Sequence, residues 1–316
     1  MPSADGRGDS QRRPLLTRGT LWDRLCETTV RALAAGALQP IPTDFDYVED
    51  GGVRFLVRIL TNLARKDEER WSRQRQTSGG REANPFLPCE EDLFVAKLTE
   101  GHLCLLNKFN VVEHHLLIVT EGFEEQEDYL TTGDFAALLT ALGEYGSLAF
   151  YNGGVVAGAS QRHKHLQIVP LPLAAEGPPV PVGPVVAAAL GDSPVGRSGR
   201  LPFRHAVAPV DPRWIESPGS SAPDALGTFH LLLRAAGMEE GDAPRSRRQS
   251  MPYNLLVTRE WMFLVPRSRE HFDGVSVNAL GFAGALLVRN AAEMEALKER
   301  GPLEVLRSVA FAAGGG

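Results

Sequence analysis

The run Ser160-Gln161-Arg162-His163-Lys164-His165-Leu166-Gln167-Ile168-Val169-Pro170 alternates side-chain types with a period of two. An extended strand sorts such a pattern onto two faces. His163, His165 and Gln167 then share one face, while Leu166 and Ile168 point the other way into a core. Immediately upstream lie Tyr151-Asn152-Gly153-Gly154 and Gly158-Ala159-Ser160. Small residues let backbone N–H groups approach an anion, and Asn152 and Ser160 add side-chain donors. Imidazoles beside a donor-rich loop fit a negatively charged substrate and nucleophilic attack on phosphorus. An imidazole with a pKa near ~6.5 has a free nitrogen at neutral pH, provided the other nitrogen is held by an acceptor.

With 316 residues, 43% of them hydrophobic, the chain can build one large or two moderate domains. A net charge of −6 argues against bulk nucleic-acid binding but leaves room for a nucleotide site with a few local cations. Cys26, Cys89 and Cys104 are far apart and form no CxxC, so neither a disulfide framework nor a cysteine zinc site is expected. No apolar run is long enough to span a bilayer, and the N-terminus has no signal-like core. The expectation is a soluble protein of the reducing cytoplasm, with no membrane or nucleic-acid partner.

Residues 1–19 are polar and charged and read as a disordered N-terminus. A helix is predicted from Leu21, with Leu21, Leu25, Thr28, Thr29, Ala32 and Leu33 at helical spacing. Phe45–Val48 and Val53–Leu60 read as a strand pair. Leu93–Ala96, His102–Lys108 and His115–Thr120 read as antiparallel strands, followed by a helix over Phe135–Ala149. Residues 20–175 thus form a half carrying the histidine row, and 176–224 a Pro/Gly-rich connection with a helix at Val185–Leu190. Residues 225–316 form a second half, with a helix at Leu226–Gly237, a hairpin from Tyr253–Thr258 to Trp261–Pro266, a strand or helix at Phe282–Val288, and helices over Ala291–Phe311. The basic cluster Arg245-Ser246-Arg247-Arg248 reads as a solvated loop or a phosphate grip. The fold class is α+β, an antiparallel sheet with flanking helices. His115-Leu-Leu-Ile-Val-Thr echoes Asn254-Leu-Leu-Val-Thr, which points to two pseudo-repeat halves.

The core His163-Lys164-His165-Leu166-Gln167, preceded by Ser160, resembles the active-site motif of the histidine-triad superfamily, in the branch with glutamine as third member. That branch holds galactose-1-phosphate uridylyltransferases and ATP adenylyltransferases, also called diadenosine tetraphosphate phosphorylases. Leu106-Asn107-Lys108-Phe109, Phe150-Tyr151-Asn152, Val265-Pro266-Arg267 and Asn278-Ala279-Leu280-Gly281 extend the likeness to the adenylyltransferases. The resemblance implies a histidine-triad-like fold and phosphorolysis of diadenosine tetraphosphate to ATP and ADP through an AMP–histidine. It assigns His165 as nucleophile, with His163 and Gln167 completing the catalytic set. Substrate contacts are expected at Lys66, Asn107, Lys108, Asn152, Gly158, Ala159, Ser160, Gln161, Asn278 and Arg289. Lys66 also reads as a solvated charge, and His115 as either a phosphate contact or a packing residue. No covalent cofactor and no protein-held metal are implied, although Mg2+ or another divalent cation can accompany the nucleotide. The partners are small molecules (a dinucleoside polyphosphate, ADP, ATP, phosphate), and the chain is expected as a monomer or homodimer. Alternatives are a sugar-1-phosphate nucleotidylyltransferase, a metal-binding cupin-like barrel using His-x-His, and a nucleotide-binding regulator without turnover.

Overall fold

The computed structural model describes residues 13–61, 84–238 and 247–313. Its strands are β1 (Thr43–Asp50), β2 (Val53–Leu60), β3 (Phe94–Thr99), β4 (His102–Leu106), β5 (Leu116–Thr120), β6 (Ser147–Gly153), β7 (His165–Pro170), β8 (Ala206–Pro209), β9 (Tyr253–Val257), β10 (Trp261–Pro266), β11 (His271–Phe272), β12 (Val275–Ser276) and β13 (Ala285–Val288). The helices are α1 (Leu21–Ala34), α2 (Thr132–Leu142), α3 (Gly183–Ala187), α4 (Pro212–Glu216), α5 (Pro218–Ala235), α6 (Ala279–Phe282), α7 (Ala291–Arg300) and α8 (Pro302–Val309).

An eight-stranded antiparallel sheet in the order β3-β4-β5-β7-β6-β9-β10-β8 organises the chain. The α+β class follows directly. The sheet is open, ending at β3 and β8, so it is not a closed cupin-like barrel. One face carries Leu166, Ile168, Ile118, Ala149 and Leu255, and α1, α2 and α5 cover it. The opposite face is covered only at its two ends. Leu103, Leu105, Leu117 and Val119 pack with Phe86 at one end. Val169, Leu148, Phe150, Leu256 and Phe263 pack at the other under Phe55, Val57, Phe282 and Leu286. The gap between these apolar patches falls on β7, where His165 and Gln167 stand. Strand alternation therefore places the polar row between the two apolar patches, with His165 against the Phe86 ring and Gln167 on the open side.

A smaller sheet, β1-β2-β13, lies over that second face, with β2 antiparallel to β1 and parallel to β13. The ambiguous stretch Phe282–Val288 resolves into the end of α6 and then β13, parted by Gly284 at φ +91. Among the described residues of 225–316 the only separate sheet is the two-stranded β11-β12; the longer strands join the sheets already named. Their β9 pairs with β6, setting Asn254 opposite Asn152.

Several predicted elements are corrected. Within the expected disordered terminus, residues 13–19 are placed: Leu15 bridges Lys97, and the Leu16 N–H donates to the Lys97 carbonyl at 2.8 Å. Residues 1–12 lie outside the described residues. In α1, Leu21, Leu25, Thr28 and Ala32 are buried, but Leu33 is exposed. The helix predicted to reach Ala149 stops at Leu142, because Ser147–Gly153 is taken by the sheet as β6. The stretch read as a connection, 176–224, contains β8, the sheet's edge strand, and the first turns of α5. The last turn of His102–Lys108 and the start at His115 fall outside β4 and β5.

Candidate active site

β7 is held from both sides, by β5 through Val119↔His165 and Leu117↔Gln167, and by β6 through Phe150↔Gln167. It begins at His165. His163 sits just before it, in an isolated bridge with Glu125. Both imidazoles are buried, and each is tied on a defined nitrogen. His165 Nδ1 donates to the His163 carbonyl at 2.8 Å, while its Nε2 has no protein partner among the described residues. The neutral tautomer with its proton on Nδ1 follows, and Nε2 carries the free lone pair. The His163 ring donates through Nε2 to the Thr120 carbonyl at 2.9 Å and accepts at Nδ1 from the Asn84 amide at 2.8 Å. The carbonyl that positions His165 is thus itself on a clamped residue. Gln126 completes the hold by accepting from the His165 N–H at 2.8 Å and donating to the His165 carbonyl at 3.1 Å.

Lys164, read as a gap-filler, faces the other way and is fully buried. Its ammonium contacts Glu124 and, at 3.4 Å, Asp134, which in turn bonds His102 at 3.0 Å and caps α2 through Thr131. A buried ammonium needs such partners.

Beside the histidine row lies a cavity of about 450 Å³ whose walls include Asn107, His115, Asn152, Gly158, Ser160, Gln167, Asn278 and Arg289. His165 and His163 are not part of that wall. The Phe86 ring packs against both, with centroids 5.1 Å and 5.8 Å away. Asn152 Oδ1 accepts from Asn254 Nδ2 at 2.8 Å and from the Ala279 N–H at 2.9 Å, which turns its amide toward the cavity. Gly158 has φ +89, and a Cβ there would meet Asn278 at 2.8 Å, so only glycine lets the loop close on Asn278. Asn278 caps the short α6 through the Leu280 N–H.

Of the other expected contacts, Ala159 and Gln161 border a different cavity, with Glu125 and Arg162. Lys108 does not reach the site; its ammonium bonds both Glu90 oxygens, at 2.7 and 2.9 Å. Lys66 lies outside the described residues, as do Arg245 and Ser246 of the basic cluster. Arg248 of that cluster pairs with Glu127.

His115 lines the cavity and also packs against the Phe150 ring, centroids 5.8 Å apart. It is 7% exposed, accepts at Nδ1 from the Asn107 amide at 3.2 Å, and lines the cavity with an unpartnered Nε2. The Gln167 side chain lies close to it. A second set entered the sequence reading only as part of the likeness, with no role assigned. Asn254 accepts at Oδ1 from Arg267 Nη1 at 2.6 Å and donates to the Ala157 carbonyl at 2.8 Å. Arg267, 1% exposed, also donates to the carbonyls of Val309 at 3.1 Å and Arg269 at 2.8 Å. Arg267, Asn254 and Asn152 form one hydrogen-bonded line from the C-terminal segment to the cavity. The only signal in the sequence is polar residues inside otherwise apolar strands.

Burial holds the imidazoles of His115 and His165 down to about 4, and it lowers that of His163. The rings of His115 and His165 are therefore neutral at any pH above the acid range. In the unfolded chain each binds a proton below pH ~6.5; in the folded chain each waits until about pH 4. The unfolded state thus holds more protons across that window, and stability falls as pH drops through it. Two such groups amount to on the order of a few kcal/mol. The urea midpoint is expected to fall steadily from pH 7 to 4.5. An unchanged midpoint over that range contradicts the burial of these rings. Asp134, held below its ordinary range chiefly by His102 and Lys164 against its burial, destabilises only at lower pH.

Comparison with known proteins gives a consistent picture. Residues 11–188 match the model of the Ap4A phosphorylase N-terminal domain, and residues 199–312 that of the ATP adenylyltransferase C-terminal domain. The chain is similar to diadenosine 5',5'''-P1,P4-tetraphosphate phosphorylase 2 of Saccharomyces cerevisiae, 30% identical over 272 residues, covering 78% of this chain and 79% of that protein. It is likewise similar to Protein APA1 of the same yeast, 29% identical over 276 residues, covering 81% of this chain and 82% of the other. A crystal structure of yeast Ap4A phosphorylase Apa2 in complex with Ap4A shares the fold, with a TM-score of 0.75 at 22% identity, over 94% of this chain and 99% of that one.

Proposed function

Because the chain belongs to the Ap4A phosphorylase and ATP adenylyltransferase family, whose two domain models match residues 11–188 and 199–312, we propose that it phosphorolyses diadenosine tetraphosphate to ATP and ADP, reversibly, through AMP bonded to His165. The observation that carries this reading is one neutral imidazole. His165 has Nδ1–H tied to a carbonyl and Nε2 left free, two residues from Gln167 on the wall of a donor-lined cavity.

In the first half-reaction, Nε2 attacks the α-phosphorus, the bridging oxygen to the β-phosphorus departs, and ATP leaves. The ring gains positive charge as the N–P bond forms, and the His163 carbonyl facing Nδ1–H stabilises it. In the second, an oxygen of inorganic phosphate attacks the same phosphorus, the N–P bond breaks, and ADP departs with the ring neutral again. Asn152, Ser160 and Gly158 present donors to the nucleotide, with Asn107, Asn278 and Arg289 on the facing walls. His115 joins them, its Nε2–H free to donate to a phosphoryl oxygen. Gln167 holds phosphoryl oxygens by an amide that transfers no proton. ATP needs little protonation to leave and phosphate needs no base to attack, so an amide suffices for them and gives water little help. Lys108, paired with Glu90, would come into contact only as the chain rearranges around a polyphosphate.

A divalent cation such as Mg2+ would arrive with the nucleotide as its counter-ion. The three cysteines are free thiols, which fits work in a reducing cytoplasm, as a monomer or homodimer. The test is incubation with diadenosine tetraphosphate and phosphate. ATP and ADP are expected in equal amounts, with consumption dependent on phosphate. AMP as the main product would replace phosphorolysis by hydrolysis, and binding without any product would favour a regulator.

A further inference from the structure

The cavity beside Gln167 is too small for its whole substrate. At about 450 Å³ it lies near the low end of the ~300–1,000 Å³ that single ligands occupy, enough for one nucleotide. A dinucleoside tetraphosphate carries a second nucleoside and a chain of anionic phosphates that must run elsewhere. A neighbouring cavity of about 500 Å³ shares Arg58, Val111, Val112 and Leu173 with the first. The two spaces therefore meet across this group of residues, and its one cation is Arg58.

Arg58 stands on β2, where alternation puts Leu56, Arg58 and Leu60 on the face lining the first cavity and Phe55 and Val57 in the core. Its guanidinium is half-buried and pairs with no carboxylate among the described residues. Its one recorded contact is a long one, 3.5 Å from Nη1 to Thr43 Oγ1. The acids of the first cavity are already engaged. Glu293 accepts from the Arg289 N–H at 2.8 Å, and Glu270 from Ser276 at 2.9 Å. A partly desolvated guanidinium without a counter-ion is costly unless a ligand supplies one, and its planar fork matches phosphate oxygens. The second cavity beyond it is walled by Pro40, Pro42, Pro170, Pro172 and the His114 ring, which offer flat faces to a nucleoside. The other cavity near the glycine loop makes a poor alternative. Its cations Arg162 and Arg248 are already paired with Glu125 and Glu127, and Asp128 adds a further acid.

We propose that Arg58 bridges two subsites, gripping the middle of the polyphosphate chain while the cavity of Pro40, His114 and Pro172 receives the nucleoside of the departing nucleotide. The assignment rests on the phosphorolase reading of His165 and adds a site for the half of the substrate that is not transferred. It makes the enzyme selective for donors with a long phosphate bridge and a second nucleoside. ADP, whose leaving group is phosphate alone, does not need this site.

That difference supplies the test. Exchange of labelled phosphate into ADP uses only the transfer of AMP from ADP to His165 and back. Phosphorolysis of diadenosine tetraphosphate uses both subsites. Arg58→Ala is expected to raise KM for the dinucleotide about tenfold or more, the loss of one charge-assisted phosphate contact. The ADP–phosphate exchange rate should stay within about twofold, and Arg58→Lys should recover part of the lost affinity. Glu113→Trp, at an exposed position on the rim of the second cavity, should erase the preference for diadenosine tetraphosphate over adenosine tetraphosphate, again with exchange intact. The proposal is overturned if Arg58→Ala leaves KM for the dinucleotide unchanged, if it lowers exchange and phosphorolysis by the same factor, or if Glu113→Trp leaves the preference in place. An unaltered chain that shows neither exchange nor phosphorolysis overturns the functional reading itself, a separate result.

Discussion

Replacing His165 by alanine is expected to lower phosphorolysis by about 10⁴-fold or more, the scale seen when a covalent nucleophile is removed from an intact site. The loss should fall on kcat, because the donors that hold the nucleotide, Asn152, Gly158, Ser160 and Asn278, stand on other elements and stay in place. Nucleotide binding measured by calorimetry should change little. The truncation removes a buried ring from beneath Phe86, so some stability is lost as well, and circular dichroism must show the fold intact. Labelled diadenosine tetraphosphate should leave AMP on the unaltered chain in an acid-labile linkage, and none on the variant. An alanine variant retaining more than about a tenth of the activity would remove the imidazole from the reaction path.

Arg267→Ala is expected to destabilise by roughly 3–5 kcal/mol, a large share of a typical domain's ~5–15 kcal/mol. The guanidinium supplies the donor to the buried Asn254 Oδ1, which has no other donor among the described residues, and adds bonds to the carbonyls of Val309, which keeps the Ser268 N–H at 3.0 Å, and of the exposed Arg269. The orphaned buried acceptor costs about 1–3 kcal/mol, and the emptied volume adds a cavity cost. Its burial pushes the guanidinium pKa down to about 9, yet the group remains charged at neutral pH. Because Asn254 positions Asn152, activity should fall even in the molecules that stay folded. Arg267→Lys keeps the charge but lacks the fork, so it should recover only part of either loss. The urea midpoint and the activity at low temperature separate the two effects. A midpoint unchanged from the parent would mean the line of bonds holds nothing.

What the sequence could disclose follows from the range of the forces involved. The alternation through His165, Leu166, Gln167 and Ile168 is local geometry, and the two faces are as the spacing requires. Hydrogen bonds across more than a hundred residues leave no such trace. Asn254 finds Asn152 only because β9 pairs with β6, and Arg267 reaches the Ala157 carbonyl, 110 residues away, at 3.4 Å. The helix drawn through Ala149 was a contest between an apolar run, equally good for either state, and a vacant sheet position. The sheet won after Gly143. Lys108 is placed among the substrate contacts by the likeness of Leu106-Asn107-Lys108-Phe109, but Glu90 takes its charge. His115 stays open between phosphate contact and packing in the sequence, since nothing in a His-His pair tells which ring lines the cavity.

The register of Asn152 with Asn254 has a consequence for how such a chain can change over time. The border between the two matched regions is an interior seam, not a hinge, and its stitches are side-chain amides shared by both sides. A substitution at one stitch leaves its mate stranded, so drift on either flank is admissible only in concert with the other. Recombining the front of one relative with the back of another should therefore succeed or fail on the compatibility of these few seam residues, however alike the remaining surfaces are.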